Sequence, residues 1–293
     1  MNLEKILVIA DRDDPRQKAL RAALDLTRGT RTVISVVGFL FDDMVQHPGL
    51  IPATTARQMK ATMVRDKKTW MRAAVEGIES GEARIRQTVV WTRDISGWVA
   101  EHAGEFGLVI KSGSRSEGLM HTPLDWQLMR ESKVPVMIVR DHLRKRPGRI
   151  LASVDLGSSK PTQRDLNRRV LAAGHMLAQQ LDAELHVVYA IPLSALAQDL
   201  DLVDRSLMER KAIRALDAEL AAISEEFDVP RKNIVIKAGP PERILDGQAS
   251  KLKATLLVMG TRGRKGLKGK LLGNTAEKVL HLNRSTVLAL SPH

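Results

Sequence analysis

The residues whose types and spacing could do chemistry lie near the C-terminus: Gly260-Thr261-Arg262-Gly263, a basic run over 264–272, and Gly273-Asn274-Thr275. Gly260 and Gly263 carry no Cβ, so main-chain N–H groups there can come close to a ligand. Gly273, Asn274 and Thr275 open a segment with helical periodicity. Free N–H groups and the positive end of a helix dipole favour phosphate at such a start. Arg262, Arg264, Lys265, Lys268 and Lys270 surround the pattern with positive charge. The chemistry on offer is anion binding. The pattern is not a P-loop, since no Gly-Lys-Ser/Thr closes it. Nor is it the dinucleotide fingerprint, whose glycines follow the first strand and stand closer together. On composition alone, a basic surface loop with turn glycines reads equally well.

Other chemistries find little support. The eight His (47, 102, 121, 142, 175, 186, 281, 293) are dispersed, without metal-ligand spacing. Ser112-Gly113-Ser114 lacks the outer glycines of a nucleophile elbow. The acidic run 199–204 lacks the Gly and distal Glu of a calcium loop. The acids at 11–14 follow a strand and read as the start of a helix. Cysteine is absent, which removes disulfides, thiolate catalysis and Fe–S clusters and fits a cytoplasmic location. The net charge of +12 raises the prospect of polyanionic partners. Yet the basic residues are scattered and aromatics make only 3%, too few for stacking platforms, so nucleic acid is not the expected partner. No apolar run reaches the ~18 residues of a membrane span.

The elements that must hold the glycine pattern come from a chain of 293 residues written twice. The run 5–11, apolar and ending in Asp11, recurs at 149–155, ending in Asp155. The run 106–111 recurs at 254–259, and 134–139 at 285–290. Two homologous domains, 1–142 and 148–293, are expected, joined by the basic stretch 141–148. In the second copy, Ile150–Val154, Leu185–Ala190, Ile234–Ala238, Thr255–Met259 and Thr286–Leu290 read as strands. Leu166, Val170, Ala173, Leu177 and Leu181 mark one face of a helix. A second helix is expected from Ser206 to Phe227, a third opening at Pro240-Pro241, and a fourth over Thr275–Leu282. Strand and helix alternate, so each domain should be α/β with a parallel sheet, and ligands should sit beyond the carboxyl ends of the strands. In the first copy, Met44 to Met63, rich in Met, Pro, Thr and Ala, is expected to form a mobile lid. Trp126 and Leu128, near Met129, are expected to fill core or the inter-domain contact rather than a ligand pocket.

The spacing G-x2-G-x9-G of Gly260, Gly263 and Gly273, after the fourth strand of an α/β domain whose first strand ends in Asp155, resembles the universal stress protein family. The texts 271–277 and 122–126 resemble its tandem-domain E type. The resemblance spans both copies. It implies two tandem flavodoxin-like domains, each a five-stranded parallel sheet with helices on both faces, paired through the segments 135–139 and 286–290. Whether two chains associate is left open. It also implies a stress-response binding protein that takes ATP or a related nucleotide, with Mg²⁺, in the second domain. There Asp155 and the backbone at Ala190 would hold the adenosine part. Gly260, Arg262 and Gly263 would meet ribose and phosphate, and Gly273, Asn274 and Thr275 the outer phosphates. Asn274 stands where the family usually has Ser or Thr. A carrier or scaffold for another anionic or lipid-like ligand is the alternative. No catalytic residues are expected, though slow ATP hydrolysis stays open.

The first copy departs from the pattern. Ser112 and Arg115 stand in the places of Gly260 and Gly263, and Thr122-Pro123 in that of Gly273-Asn274. Side chains crowd the approach and Pro123 lacks an N–H, so loss of nucleotide binding is expected there.

Overall fold

The computed structural model describes the chain apart from residues 12, 13, 15, 48, 114–123, 142, 144–147, 194–203, 262, 263, 267, 268, 272, 273 and 293; for 264–266, 269–271, 274 and 275 it describes the backbone only. The chain divides into two compact units, Met1–Val139 and Arg140–His293. Leu143, inside the stretch read as a linker, is 1% exposed and belongs to a core.

The first unit runs β1 (Lys5–Ile9), α1 (Lys18–Leu26), β2 (Val33–Leu40), α2 (Asp43–Gln46), α3 (Ala53–Glu76), β3 (Arg84–Trp91), α4 (Ile95–His102), β4 (Leu108–Ser112), α5 (Leu124–Glu131) and β5 (Val136–Val139). Its strands are parallel, in the order β3-β2-β1-β4-β5. Near-continuous apolar runs such as Ile6-Leu7-Val8-Ile9 are buried, as a sheet covered on both faces requires. Leu128 and Met129 are core residues, with Trp126 half-buried beside them.

The segment 44–63, whose composition reads as a loop-like lid, is largely helical. Asp42 caps α2 by accepting the Val45 N–H at 3.0 Å, and from Ala53 onward the chain is a 24-residue helix. Ala56, Met59, Met63, Lys67, Trp70 and Met71 recur three or four residues apart and form its half-buried to buried stripe. That periodicity outweighs the loop-like composition.

The second unit runs β6 (Gly148–Val154), α6 (Pro161–Leu181), β7 (Ala183–Pro192), α7 (Arg205–Ala215), α8 (Asp217–Glu226), β8 (Ile234–Gly239), α9 (Pro241–Leu252), β9 (Leu256–Gly260), a hairpin of β10 (Arg264–Gly266) and β11 (Gly269–Leu271), α10 (Asn274–Leu282) and β12 (Thr286–Leu290). Its parallel order is β8-β7-β6-β9-β12. From β6 the chain steps one way to β7 and β8, then returns past β6 to β9 and β12. With right-handed crossovers this puts α6, α7 and α8 on one face and α9 and α10 on the other. The winding therefore reverses between β6 and β9.

The helix expected over 206–227 is two helices. Leu216 (φ −103°, ψ 9°) breaks it, and Asp217 and Glu219 open the second. The two pieces answer to different partners. On α7, Glu209 accepts the Ala238 N–H at 3.0 Å and meets Lys237 Nζ at 2.9 Å, tying the helix to β8. On α8, Leu220 and Ile223 turn into the core, while Ile213 on α7 stays exposed. Asp204 caps α7 through the Leu207 N–H; the rest of the acidic run 199–203 lies outside the described residues.

The apolar face of α6 is buried at all five expected positions and packs on β6, β7 and β9. At the end of β9, Gly260 receives Leu166: a Cβ there would stand 2.6 Å from Leu166 Cδ2 and 2.9 Å from Cγ. Gly260→Ala should therefore destabilise the protein by about 1–3 kcal/mol. Adding Leu166→Val should recover part of that loss, seen in urea unfolding as a non-additive term above about 0.5 kcal/mol. Strict additivity would contradict the contact.

His186 on β7 is 9% exposed, with Nε2 3.4 Å from Glu184 Oε2, and Glu184 in turn lies 3.6 Å from Arg149 Nε. Burial lowers the His186 pKa, Arg149 adds to this, and Glu184 opposes without cancelling it. The neutral ring is favoured in the folded state. The stabilisation is full above the ordinary value of ~6.5 and is lost as pH falls through the lower folded value. Urea midpoints of the wild type should fall as pH is lowered from neutrality past the ordinary histidine value. His186→Gln should flatten that dependence.

Candidate functional site

The end of β6 fixes the site. β6 pairs with β7 as far as Val154↔Tyr189 and with β9 as far as Ser153↔Met259. β7 continues to Pro192 and β9 to Gly260. Where β6 stops, the strands on either side run on and a crevice opens, as expected where the winding reverses. A cavity of about 230 Å³ lies there. Its walls include Asp155, Ala190 and Gly260, together with Val154, Gln163, Leu166, Asn167, Pro192, Leu245 and Ala276.

Asp155 is held by its main chain. Its N–H donates to Asn167 Oδ1 at 3.0 Å, and its carbonyl accepts from Asn167 Nδ2 at 2.7 Å. Gln163 Nε2 donates to the same Asn167 Oδ1 at 3.0 Å. Beyond Asp155 the chain turns, with the Gly157 N–H donating to Asp155 Oδ1 at 3.2 Å. A Cβ at Gly157 would stand 2.4 Å from Tyr189 Oη, so a larger residue there would have to displace that hydroxyl. Burial first, then the charges of Asp155 and Glu219, raises the Tyr189 pKa and keeps its hydroxyl protonated.

On the other side, Thr261 anchors the chain as it leaves β9. Its N–H and Oγ1 both donate to the Leu290 carbonyl, at 2.7 and 3.2 Å. Residues 264–266 and 269–271 then pair antiparallel with Lys265 opposite Lys270, where the sequence suggests only a basic loop. Arg-Lys-Gly has no strand signature, and the pairing shows only in the Gly266 and Gly269 that flank two intervening residues. The backbone of Asn274 and Thr275 begins α10. Ala276, in the same first turn, is a wall of the cavity, so the N-terminus of α10 stands at its mouth. Arg262, Gly263 and Gly273 lie outside the described residues. On the facing helix, Glu242 in the first turn of α9 pairs with Lys278 of α10 at 3.0 Å. Burial alone would raise the Glu242 pKa; its own N–H, Lys278 and Arg243 outweigh burial and lower it.

The structure thus brings Asp155, Ala190 and Gly260 together. Gly260 serves the packing of Leu166 as well as any approach of a ligand. Sequence reasoning missed Gln163, Asn167, Gly157 and Tyr189. The signal for the first two was a polar pair four residues apart on the inward face of α6.

A larger open groove of about 530 Å³ lies at the opposite end of the sheet, lined by His175, Asp182, Glu184, Phe227, Asp228 and Lys232 among others. It stands at the amino end of β7, and its three carboxylates disfavour an anion. The smaller cavity is the one that gathers Asp155, Ala190 and Gly260.

The first domain is built differently at the same place. Ser112 Oγ donates to Asp14 Oδ2 at 2.6 Å, and Asp14 also caps α1 through the Lys18 N–H at 2.7 Å. Lys111, in the strand place of Met259, makes a buried ion pair with Asp125 at 2.9 Å and donates to the Ser112 carbonyl. Arg115, Thr122 and Pro123 lie outside the described residues. Among the described residues, no group of three His, Asp or Glu is placed to hold a metal, and no helix is long and apolar enough to cross a membrane.

Residues 148–290 match the sequence model of the universal stress protein family. The chain is 26% identical to the universal stress protein E homolog of Haemophilus influenzae, covering all of this chain and 98% of the relative. It is 29% identical to universal stress protein E of Salmonella typhi, covering 99% and 94%. A crystal structure of a functionally unknown protein from Pseudomonas aeruginosa PAO1 is 27% identical with a TM-score of 0.68, covering 99% of this chain and 93% of that one. A universal stress protein from Archaeoglobus fulgidus matches in fold, with a TM-score of 0.67 at 15% identity, covering 98% and 96%. The family model takes in every element of the second domain, so that domain belongs to the universal stress protein family, and the likeness to E-type relatives of the family runs the length of the chain.

Proposed function

We propose that the second domain binds ATP or a related nucleotide, and that the protein acts in the stress response through this binding, in the cytoplasm, rather than as an enzyme. The observation that carries the reading is the cavity at the end of β6, which gathers Asp155, Ala190 and Gly260 beside the start of α10. Its walls are mostly apolar, suited to the faces of a base, with Asp155 as the carboxylate for a hydroxyl or amine. At about 230 Å³ it is smaller than the ~300–1,000 Å³ usual for whole ligands. It therefore takes the base and sugar end. The phosphates would lie outward, toward the N–H groups that open α10. Asp155 is the one carboxylate on the cavity wall among the described residues. Mg²⁺ would accordingly arrive on the phosphates, its usual mode, rather than in a protein cage. The apolar walls also favour a second reading, a carrier of a small apolar or lipid-like ligand. Mass spectrometry of material extracted from the purified protein separates the two.

Binding to the folded state alone adds stability, about 2.7 kcal/mol at roughly a hundred times the Kd. Thermal melts with and without ATP should therefore show a concentration-dependent rise in Tm. Isothermal titration should give one site per chain. Gly263→Val should abolish the heat of binding while the ligand-free melt stays unchanged, and Asp155→Ala should weaken it. Undiminished affinity in Gly263→Val would remove the glycine segment from the site. A wild type without ATP binding would remove the reading.

A further inference from the structure

The hydrogen bonds behind Asp155 fix which way two buried amides face. Asn167 accepts with Oδ1 from the Asp155 N–H and donates with Nδ2 to the Asp155 carbonyl. Turning its amide over would break both bonds. Oδ1 is therefore the atom that Gln163 meets, so Gln163 must present its nitrogen there. That bond uses one of the two Nε2 hydrogens. With the hydrogen anti to Oε1 in that bond, the second hydrogen and Oε1 form the remaining edge of a side chain that lines the cavity and is only 7% exposed.

That edge is a donor beside an acceptor. Its complement is a ring nitrogen beside an exocyclic amine, the pair carried by adenine, to which glutamine amides bind with two bonds. On the edge formed by N7 and position 6, adenine carries an acceptor beside a donor, whereas a 6-oxo purine carries two acceptors, which sets lone pairs against Oε1 and leaves buried polar atoms unmatched. We propose that Gln163 is the residue that selects a 6-amino purine over a 6-oxo purine in the second domain, with Asn167 as the positioning residue that fixes its orientation. The proposal rests on the nucleotide reading above and adds to it a specificity residue. The first domain supplies a contrast: Gln17 Nε2 donates to the carbonyls of Asp11 and Asp14, at 3.1 and 2.7 Å, which uses both of its hydrogens.

The test is isothermal titration of the full chain with ATP and with inosine triphosphate, which differ at purine position 6 and the adjoining ring proton. The wild type should prefer ATP by about 10- to 100-fold, the scale of one two-bonded amide–adenine contact. Gln163→Met, similar in size, should lower ATP affinity to the level of inosine triphosphate and leave the latter within about threefold. Gln163→Glu keeps an acceptor and the shape but loses both donors, and should also lose discrimination. Thermal melts of both variants check that they fold. Equal wild-type affinities, or a preference that survives in whichever variant folds, overturn the role of Gln163 and leave the nucleotide reading standing. A wild type that binds neither nucleotide overturns both.

Discussion

Two hydrogen bonds between the Asn167 side chain and the main chain of Asp155 hold the site in shape. Past Val154 the strand has lost β7 and β9 as partners, and the main-chain groups of Asp155 would be left unsatisfied in a half-buried place. Such groups cost about 1–3 kcal/mol each when unpaired. An asparagine amide, which carries a donor and an acceptor side by side, replaces the missing strand. Because Asn167 sits on α6, the end of β6 is fixed relative to the helix that also carries Leu166 against Gly260. One helix therefore places the acid on one wall of the crevice and shapes the glycine on the other. The Asp155 carboxylate stays at the cavity wall with its backbone held by Asn167, while its Oδ1 takes the Gly157 N–H of the turn that follows.

The sequence made the scaffold legible wherever a periodic apolar pattern met a strong boundary. Thr286–Leu290 and the five-residue face of α6 are where periodicity puts them, since nothing competes with burial there. The split at Leu216 was hidden, because Ile213, Leu216, Leu220 and Ile223 keep helical spacing. The first piece is tied to β8 through Glu209, a long-range contact without a local signal. Residues 44–63 misled in the opposite way, with loop-like composition masking a stripe that α3 lays on its sheet. At the site, Asp155, Ala190 and Gly260 could be named from motif and strand order. Gln163 and Asn167 could not, because two amides on a helix gain meaning only once the end of β6 is known to pass beside them.

The two domains repeat one scaffold with different uses of the same crevice, and the difference is a matter of where polar groups find their partners. In the first domain they find one another. Ser112 reaches Asp14, Lys111 reaches Asp125 and the Ser112 carbonyl, and Gln17 turns back on two carbonyls. A buried ion pair of this kind is strongly destabilised by loss of either partner, so the arrangement resists conversion into an open site. In the second domain the corresponding strand positions are Met259 and Gly260, which can neither donate nor accept through a side chain. The polar capacity of the crevice is then carried by Asp155, Gln163 and the open end of α10, groups whose bonds are only partly met from within the protein. Buried groups in that condition favour a guest that completes them and disfavour one that does not. If the second domain binds a polar ligand as proposed, that incompleteness is what would select it, whereas among the described residues of the first domain Asp14, Lys111, Ser112 and Asp125 are engaged with one another.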